Sequence, residues 1–180
     1  MATSALMMSD KTALAVGFEG YETRIMAFAQ QRPFLLPEFS SGKILLQQFL
    51  PDNRTLLTVT SSGALHLYDF DLKRQEHFQL SLTTLDHAML SDNGHVLTAF
   101  TTTNEVIFFS ISERRESGIM SMPDPYSQDH YYSFANSNTI SVHSSDGSMT
   151  LWVRGGDTLR KVEVASPITC LLRLNEQHML

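Results

Sequence analysis

Seven histidines and a single cysteine are the side chains of this 180-residue chain best suited to binding a metal. No two histidines stand four residues apart, and the chain contains neither a His-Glu-x-x-His nor a Cys-x-x-Cys motif. The spacings that bring metal ligands together are therefore missing. His66, His130 and His143 are interpreted as packed or solvent-exposed side chains. Because Cys170 is the only cysteine, no internal disulfide can form, and the sequence predicts no metal site.

Motifs for covalent catalysis or phosphate binding are also missing from the sequence. No Gly-x-Ser-x-Gly nucleophile elbow occurs, and a Ser-His-Asp set drawn from so many residues of each type carries no signal. Gly17 and Gly20, like Gly155 and Gly156, lack the strand, glycine loop, lysine and helix of a phosphate-binding loop. The sequence therefore predicts a protein that is not an enzyme and needs no cofactor.

The distribution of charge argues against nucleic acid as the main partner. Thirteen Lys and Arg and nineteen Asp and Glu give a net charge of −6, with the two signs interspersed along the chain. No basic stripe is present to neutralise phosphates. A charged fraction of 18% leaves a surface rich in Ser, Thr and Gln, which suits contacts with a protein or peptide.

Neither a secretory signal nor a membrane-spanning segment is predicted. Residues 1–10 lack a basic start, and their apolar stretch, Ala5 to Met8, is short. No apolar run approaches the roughly twenty residues that cross a bilayer as a helix. We therefore expect a cytoplasmic protein, with the nucleus as an alternative, and no membrane partner.

A unit of about forty residues recurs along the whole chain. Its aromatic positions are Phe28, Tyr68, Phe109 and Trp152, at intervals of 40, 41 and 43 residues. A polar turn precedes each ring, as in Pro51-Asp52-Asn53 and Ser91-Asp92-Asn93-Gly94. Units that repeat at this period bury their apolar faces by stacking on their neighbours.

Each repeat is predicted to contain four short strands. In the second copy, runs rich in β-branched and apolar residues are separated by Ser, Asp, Asn and Gly, and they cover Leu45–Leu50, Thr55–Thr60, Leu65–Asp69 and His77–Leu80. No window of a dozen residues keeps the apolar spacing of a helix. The prediction is an all-β fold of four-stranded antiparallel sheets.

Two segments resemble the WD40-repeat β-propeller family. Residues 144–152, Ser-Ser-Asp-Gly-Ser-Met-Thr-Leu-Trp, resemble the end of a WD40 repeat, and Tyr68-Asp69 resembles its Trp-Asp dipeptide. The resemblance implies four-stranded blades around a central channel. On this basis the chain is one propeller segment with blades at 1–40, 41–82, 83–122 and 123–164, and the start of a fifth at 165–180.

The chain also departs from the family pattern. The positions equivalent to Asp146 are Glu22, Ser62 and Thr103, and no Gly-His dipeptide precedes an inner strand. The buried hydrogen-bond network of Asp, His, Ser/Thr and Trp that the family implies is therefore mostly missing. We expect the blades to depend more on apolar packing.

Four blades and part of a fifth fall short of the seven or eight usual in this family. An incomplete ring leaves sheet edges uncovered. The chain is therefore predicted to be part of a larger propeller, completed by the rest of a longer protein or by another chain. An unusual small closed ring, or pairing of two copies, is the other possibility.

The stretch from Ser112 to Tyr126 is predicted to be the longest connection. Glu113 to Glu116 are predicted to form a charged, solvated cluster on an outer strand or its turn, and Met120 to Tyr126 a proline-stiffened loop with exposed apolar side chains. Two interpretations remain: a connection that has lengthened, or a contact site built from flexible methionines and a tyrosine.

In a propeller, the loops that join second to third strands gather at one end of the ring with the connections between blades, and such loops carry function. This implies a noncatalytic scaffold that binds a protein or peptide through Tyr21, Ser62, Asn104, Tyr126 and Asp146. The tyrosines would be anchors, replaceable without loss of thermal stability. The alternative is an assembly module, in which edges at Ala2–Met8 and Ile168–Leu180 pair with another chain or copy.

Overall fold

The computed structural model describes residues 2–7, 13–18, 23–27, 34–35, 42–127, 130–144, 146–164, 173–175 and 178–179. Side chains are described from residue 42 to residue 164 within these ranges. The chain divides into two compact units, residues 1–88 and 89–180.

The described residues form eighteen strands and no helix. The strands are Ala2–Met7 (β1), Ala13–Phe18 (β2), Thr23–Ala27 (β3), Phe34–Leu35 (β4), Ile44–Phe49 (β5), Thr55–Thr60 (β6), Ala64–Asp69 (β7), Arg74–Gln79 (β8), Leu85–Leu90 (β9), Val96–Thr101 (β10), Glu105–Ser110 (β11), Arg115–Ser121 (β12), Tyr131–Asn136 (β13), Thr139–His143 (β14), Met149–Gly155 (β15), Thr158–Glu163 (β16), Arg173–Asn175 (β17) and His178–Met179 (β18).

Consecutive strands pair to form four antiparallel sheets of four strands each. The first sheet contains β1 to β4, the second β5 to β8, the third β9 to β12 and the fourth β13 to β16, while β17 pairs with β18. No sheet of the described residues closes into a barrel. The prediction of an all-β fold built from four-stranded antiparallel sheets is confirmed. Such sheets are the unit of propeller blades.

The repeat is visible in the backbone hydrogen bonds of the turn between first and second strands. Asn53 N donates to Leu50 O over 2.9 Å, and Gly94 N donates to Ser91 O over 2.7 Å. Asn53 and Gly94 both adopt positive φ, at 55° and 73°. Asn and Gly are the residues that tolerate this conformation. Two polar turns of the same geometry thus stand 41 residues apart, as the sequence predicts.

The predicted connection from Ser112 to Tyr126 is wrong over its first half. Arg115 to Ser121 form β12, the fourth strand of the third sheet. Met120 and Met122 are 4% and 8% exposed, so they belong to the core and not to an exposed loop. The prediction that Glu113 to Glu116 lie on an outer strand or its turn is confirmed, because β12 begins at Arg115 and is the terminal strand of its sheet. An outer strand carries polar residues on its solvent side.

The third and fourth sheets enclose a common apolar core. It contains Met89, Phe100, Val106, Phe108, Met120, Met122, Tyr132, Phe134, Ile140, Val142 and Trp152. Trp152 has no exposed surface, and its indole Nε1 has no hydrogen-bond partner among the described residues. The Trp152 side chain is held by packing and not by a hydrogen bond, which agrees with the expected reliance on apolar packing.

Burial decreases from the inner strands of a sheet to its fourth strand. Every residue of β6 is buried, so both faces of the second sheet are covered at this strand. By contrast, β16 has one partly buried residue, Leu159, and is otherwise exposed. In the second, third and fourth sheets the fourth strand is therefore the peripheral one.

A histidine pair lies on the second sheet. His66 on β7 is 7% exposed, and its ring centroid lies 4.6 Å from that of His77, its cross-strand neighbour on β8. The amide Nε2 of Gln75 donates to His66 Nδ1 over 2.9 Å, which requires that nitrogen to be unprotonated. Burial, together with the charge of His77, lowers the pKa of His66 to about 4.

Stability should therefore fall as the pH is lowered from about 6.5 to about 4. In this window the unfolded chain binds a proton at His66 that the folded chain does not bind. Urea unfolding should give a free energy of unfolding about 2 kcal/mol lower at pH 5 than at pH 7 from this histidine. His66→Gln should remove that part of the pH dependence, whereas His95→Gln, at an exposed position, should keep it. Equal pH dependence in wild type and His66→Gln would contradict the assignment.

Candidate protein-binding face

The turn between the second and third strands of the second sheet is held by hydroxyl groups. Thr60 Oγ1 lies 3.0 Å from Ser62 Oγ and accepts a hydrogen bond from Ala64 N over 3.2 Å. Gly63 adopts φ +82°, which permits the tight reversal. Ser62 is partly buried, and its hydroxyl is engaged within this turn.

The third sheet repeats this turn with different side chains. Thr101 Oγ1 lies 2.9 Å from Thr103 Oγ1 and accepts from Glu105 N over 3.0 Å. Asn104 takes the place of Gly63, with φ +65°. The predicted equivalence of Ser62 and Thr103 is confirmed, since both precede the positive-φ residue and bond the preceding threonine.

The fourth sheet places Asp146 before the positive-φ residue Gly147, whose φ is +84°. Asp146 Oδ1 accepts a hydrogen bond from Ser148 N over 2.8 Å. Hydrogen bonds from Ser148 hold the pKa of the Asp146 carboxyl below its ordinary value, and the positive charge of His130 acts in the same direction. Asp146 is thus an exposed carboxylate that stays ionised at neutral pH.

The turns of the second and third sheets are bonded to the connection that leads to the next sheet. In the second sheet, Gly63 O accepts from Leu80 N over 2.8 Å. In the third, Asn104 Oδ1 accepts from Tyr126 N over 2.8 Å, and Asn104 O accepts from Met122 N over 2.9 Å. Turn and connection therefore lie at the same end of their sheet, as the propeller resemblance implies.

Tyr126 is partly buried and packs against the core of the third and fourth sheets. Its ring stacks on that of Tyr132, with centroids 5.7 Å apart and planes 6° apart. The Tyr132 hydroxyl donates to Ser127 O over 3.4 Å, and burial raises the pKa of Tyr132. Tyr126 contributes to packing, so its contacts favour a loss of stability on replacement, contrary to the expectation from the sequence.

Tyr131 is the exposed aromatic residue at this end of the fourth sheet. It is 68% exposed, and its ring lies 6.1 Å from that of His143, its cross-strand neighbour. His143 ends β14 and leads into the turn that carries Asp146. Tyr131 was not among the predicted site residues. Strand alternation could have indicated Tyr131, because neighbouring residues of a strand point to opposite faces and Tyr132 faces the core.

The predicted site residues are thus distributed unevenly. Asn104 contacts Tyr126 directly, and Asp146 lies on the turn that follows the strand paired with Tyr131. Ser62 belongs to the unit formed by residues 1–88, and Tyr21 lies outside the described residues. We define the sheet-4 loop end as Tyr131, His143, Asp146 and the connection 122–127.

No protein-family model matches the chain, and no curated protein matches its sequence. Within the described ranges there is no group of three metal-binding side chains. The same part of the chain contains no helix with the length and apolar character needed to cross a membrane.

Gly63 and Gly147 have nearly equal φ, so alanine substitutions at these two positions distinguish the cost of positive φ from the cost of a steric contact. A Cβ at Gly63 would stand 2.4 Å from Leu82 O, whereas a Cβ at Gly147 would meet nothing within 4 Å. Replacing either glycine by alanine should cost about 1 kcal/mol for positive φ. Gly63→Ala should cost roughly 2 kcal/mol more, because a backbone oxygen must move. Chemical denaturation of both variants measures the difference, and equal losses would contradict the packed turn.

Proposed function

We propose that this chain is a noncatalytic WD40-like propeller segment that binds a protein or peptide through the sheet-4 loop end. The observation that supports the proposal best is Tyr131, a large aromatic side chain that is 68% exposed beside turns fixed by their own hydrogen bonds. Aromatic residues surrounded by polar groups are the usual anchors of protein interfaces.

The chemistry of this end favours a peptide with hydrogen-bond donors or a cation. The ring of Tyr131 offers an apolar face and a hydroxyl, and Asp146 offers a carboxylate that is exposed and ionised. Asp124 is already paired with Lys161 Nζ over 3.0 Å, so Asp146 carries the less compensated charge. An arginine or lysine of the partner can stack on Tyr131 and approach Asp146.

The polar turns support binding because they restrict the loops before a partner arrives. Asn104 Oδ1 accepts a hydrogen bond from Tyr126 N in the connection, and Asp146 Oδ1 accepts one from Ser148 N. A surface ordered in advance loses less entropy on association. A cytoplasmic or nuclear location belongs to the same proposal, since a chain with one cysteine needs no oxidising compartment.

Selection from a random peptide display library tests this site without a known partner. Peptides enriched on the wild-type protein should lose at least tenfold in affinity for Tyr131→Ala, as expected for a central aromatic anchor. They should bind Leu72→Ala unchanged, because Leu72 is 71% exposed on the turn between β7 and β8 and is a matched exposed apolar control. Peptides that bind both variants equally well would show that Tyr131 is not the anchor.

Assembly through sheet edges is the second candidate function. The observation that favours it is that, among the residues that the structure describes, β17 and β18 form a sheet of two strands, whereas the other four sheets have four. A strand from the rest of a longer protein or from a second copy would extend it. Light scattering across a hundredfold range of concentration should then show a defined dimer. A constant monomer mass would exclude pairing between copies, and Tyr131→Ala should leave the mass unchanged in either case.

A further inference from the structure

Ser117 lies at an irregular point of an edge strand. In the pairing of β11 with β12, Phe108 faces Gly118 and Phe109 faces Glu116, so Ser117 is the extra residue of a β-bulge. β12 is the terminal strand of the third sheet. The Ser117 hydroxyl is 3.4 Å from Phe108 O and 3.4 Å from Arg154 Nη1. Both distances are at the outer limit of hydrogen bonding, so the hydroxyl is loosely held.

Arg154 brings a positive charge to this hydroxyl from the fourth sheet. Its Nη2 donates to Ser117 O over 2.6 Å, and its guanidinium carbon lies 4.6 Å above the ring of Phe108. No carboxylate stands within ion-pair distance of Arg154 in the part of the chain that the structure describes. A partly buried guanidinium held by a carbonyl and a ring keeps the capacity to bind an anion.

Gly118 supplies no side chain beside the guanidinium at the bulge. A Cβ at this position would be in van der Waals contact with Arg154 Nη2 and Met120 Cε, both 3.5 Å away, so the glycine leaves the space of about one methyl group there. An oxyanion attached to Ser117 Oγ would start 3.4 Å from Nη1 and could engage both terminal nitrogens of the guanidinium. The bulge thus combines a weakly bonded hydroxyl with a cation that lacks a carboxylate partner.

Two arginines precede Ser117 in the sequence. Arg114 and Arg115 stand three and two residues before it, in the turn and at the start of β12. The Arg115 side chain is 69% exposed, and its ion pair with Glu113, 2.6 Å long, lies at the surface. Exposed ion pairs are weak and readily exchanged. Charge patterns of this kind direct kinases to their substrates.

We propose that Ser117 is a phosphorylation site for a serine/threonine protein kinase that prefers basic substrates, and that Arg154 holds the resulting phosphate. In this reaction Ser117 Oγ attacks the γ-phosphorus of ATP, the bond from that phosphorus to the β,γ-bridging oxygen breaks, and ADP leaves. The hydroxyl proton passes to the base of the kinase. The product is a phosphoserine monoester with a charge between −1.5 and −2 at neutral pH.

Phosphorylation would strengthen the link between two sheets. Ser117 belongs to the third sheet and Arg154 to β15 of the fourth, so a phosphate paired with Arg154 adds a charge-assisted contact across their boundary. This inference does not depend on the proposed partner-binding face.

The acceptor is tested with the purified catalytic subunit of cyclic-AMP-dependent protein kinase, ATP and magnesium acting on the full folded chain. Tandem mass spectrometry should place one phosphoryl group on Ser117. Ser117→Ala should abolish it, and Arg115→Ala should lower the initial rate about tenfold. Ser112→Ala, at an exposed serine before the arginines, is the matched control and should have no effect. Phosphorylation of a peptide covering 112–122 but not of the folded chain would overturn the proposal.

The role of Arg154 is tested by phosphorus NMR of the phosphorylated protein. A guanidinium contact should lower the second pKa of the phosphoserine from near 6 by about half a unit in the wild type, and Arg154→Gln should abolish that shift. Arg154→Lys keeps the charge but not the planar guanidinium, so it should give a pKa between those of the wild type and Arg154→Gln. It replaces Arg154→Gln in the test if the glutamine variant does not fold. Identical titrations in the wild type and the variants would overturn the contact with Arg154.

Discussion

The contact between successive sheets is the constraint on which the rest of this structure depends. A four-stranded sheet has two faces, and the apolar side chains of its inner strands cannot all be buried within the sheet itself. In the unit formed by residues 89–180, this need is met by an aromatic cluster. Tyr132 lies 4.8 Å from Phe100 and 5.7 Å from Trp152, measured between ring centroids. Each of these rings buries more apolar area than any aliphatic side chain, so the cluster dominates the packing.

Polar interactions are concentrated at the ends of the sheets. Trp152 Nε1 is a buried donor that has no hydrogen-bond partner among the described residues. The hydroxyls of Thr60 and Thr101 instead bind the backbone of their turns. A buried donor without a partner costs about 1 to 3 kcal/mol, which apolar contacts around the indole must offset. The third and fourth sheets are therefore joined mainly by apolar packing, together with the hydrogen bond from Arg154 to Ser117 O, and the polar bonds of the threonines shape the loops.

The fold was predictable from the sequence where a turn has a chemical signature. Positive φ occurs once in each of two predicted turns, Pro51-Asp52-Asn53 and Ser91-Asp92-Asn93-Gly94. The strand after the first of these turns, β6, covers Thr55 to Thr60 as predicted. Prediction was incomplete on the outer strand of the third sheet. The charges at Glu113 to Glu116 indicated an outer strand or its turn, but Met120 was assigned to a loop, although it directly faces Val106 in the third sheet. The periphery of a sheet carries few apolar residues, so its strands give little signal.

The candidate site was less predictable, because residue type alone does not give exposure. Tyr126 and Tyr131 are five residues apart and equally suited to be anchors, yet one stacks on Tyr132 and the other is 68% exposed. The difference arises from tertiary packing, since the connection at Tyr126 is drawn onto the core by Asn104. Tyr131 and Tyr132 differ only in their place in the strand alternation. Neighbouring residues of β13 point to opposite faces, and the structure shows that Tyr132 is on the buried face and Tyr131 on the exposed one.

The same arrangement explains why a binding face at this end needs little additional structure. Tyr131 and Tyr132 are neighbours on β13, and Tyr132 is fixed between Tyr126 and the core. The backbone that presents Tyr131 is therefore ordered by core packing, independently of any partner. A rigid strand that displays an aromatic side chain loses only the side-chain freedom of that residue on binding, about 0.5 to 1.5 kcal/mol. The interaction that joins the third and fourth sheets thus also prepares the surface on which we expect a partner to bind.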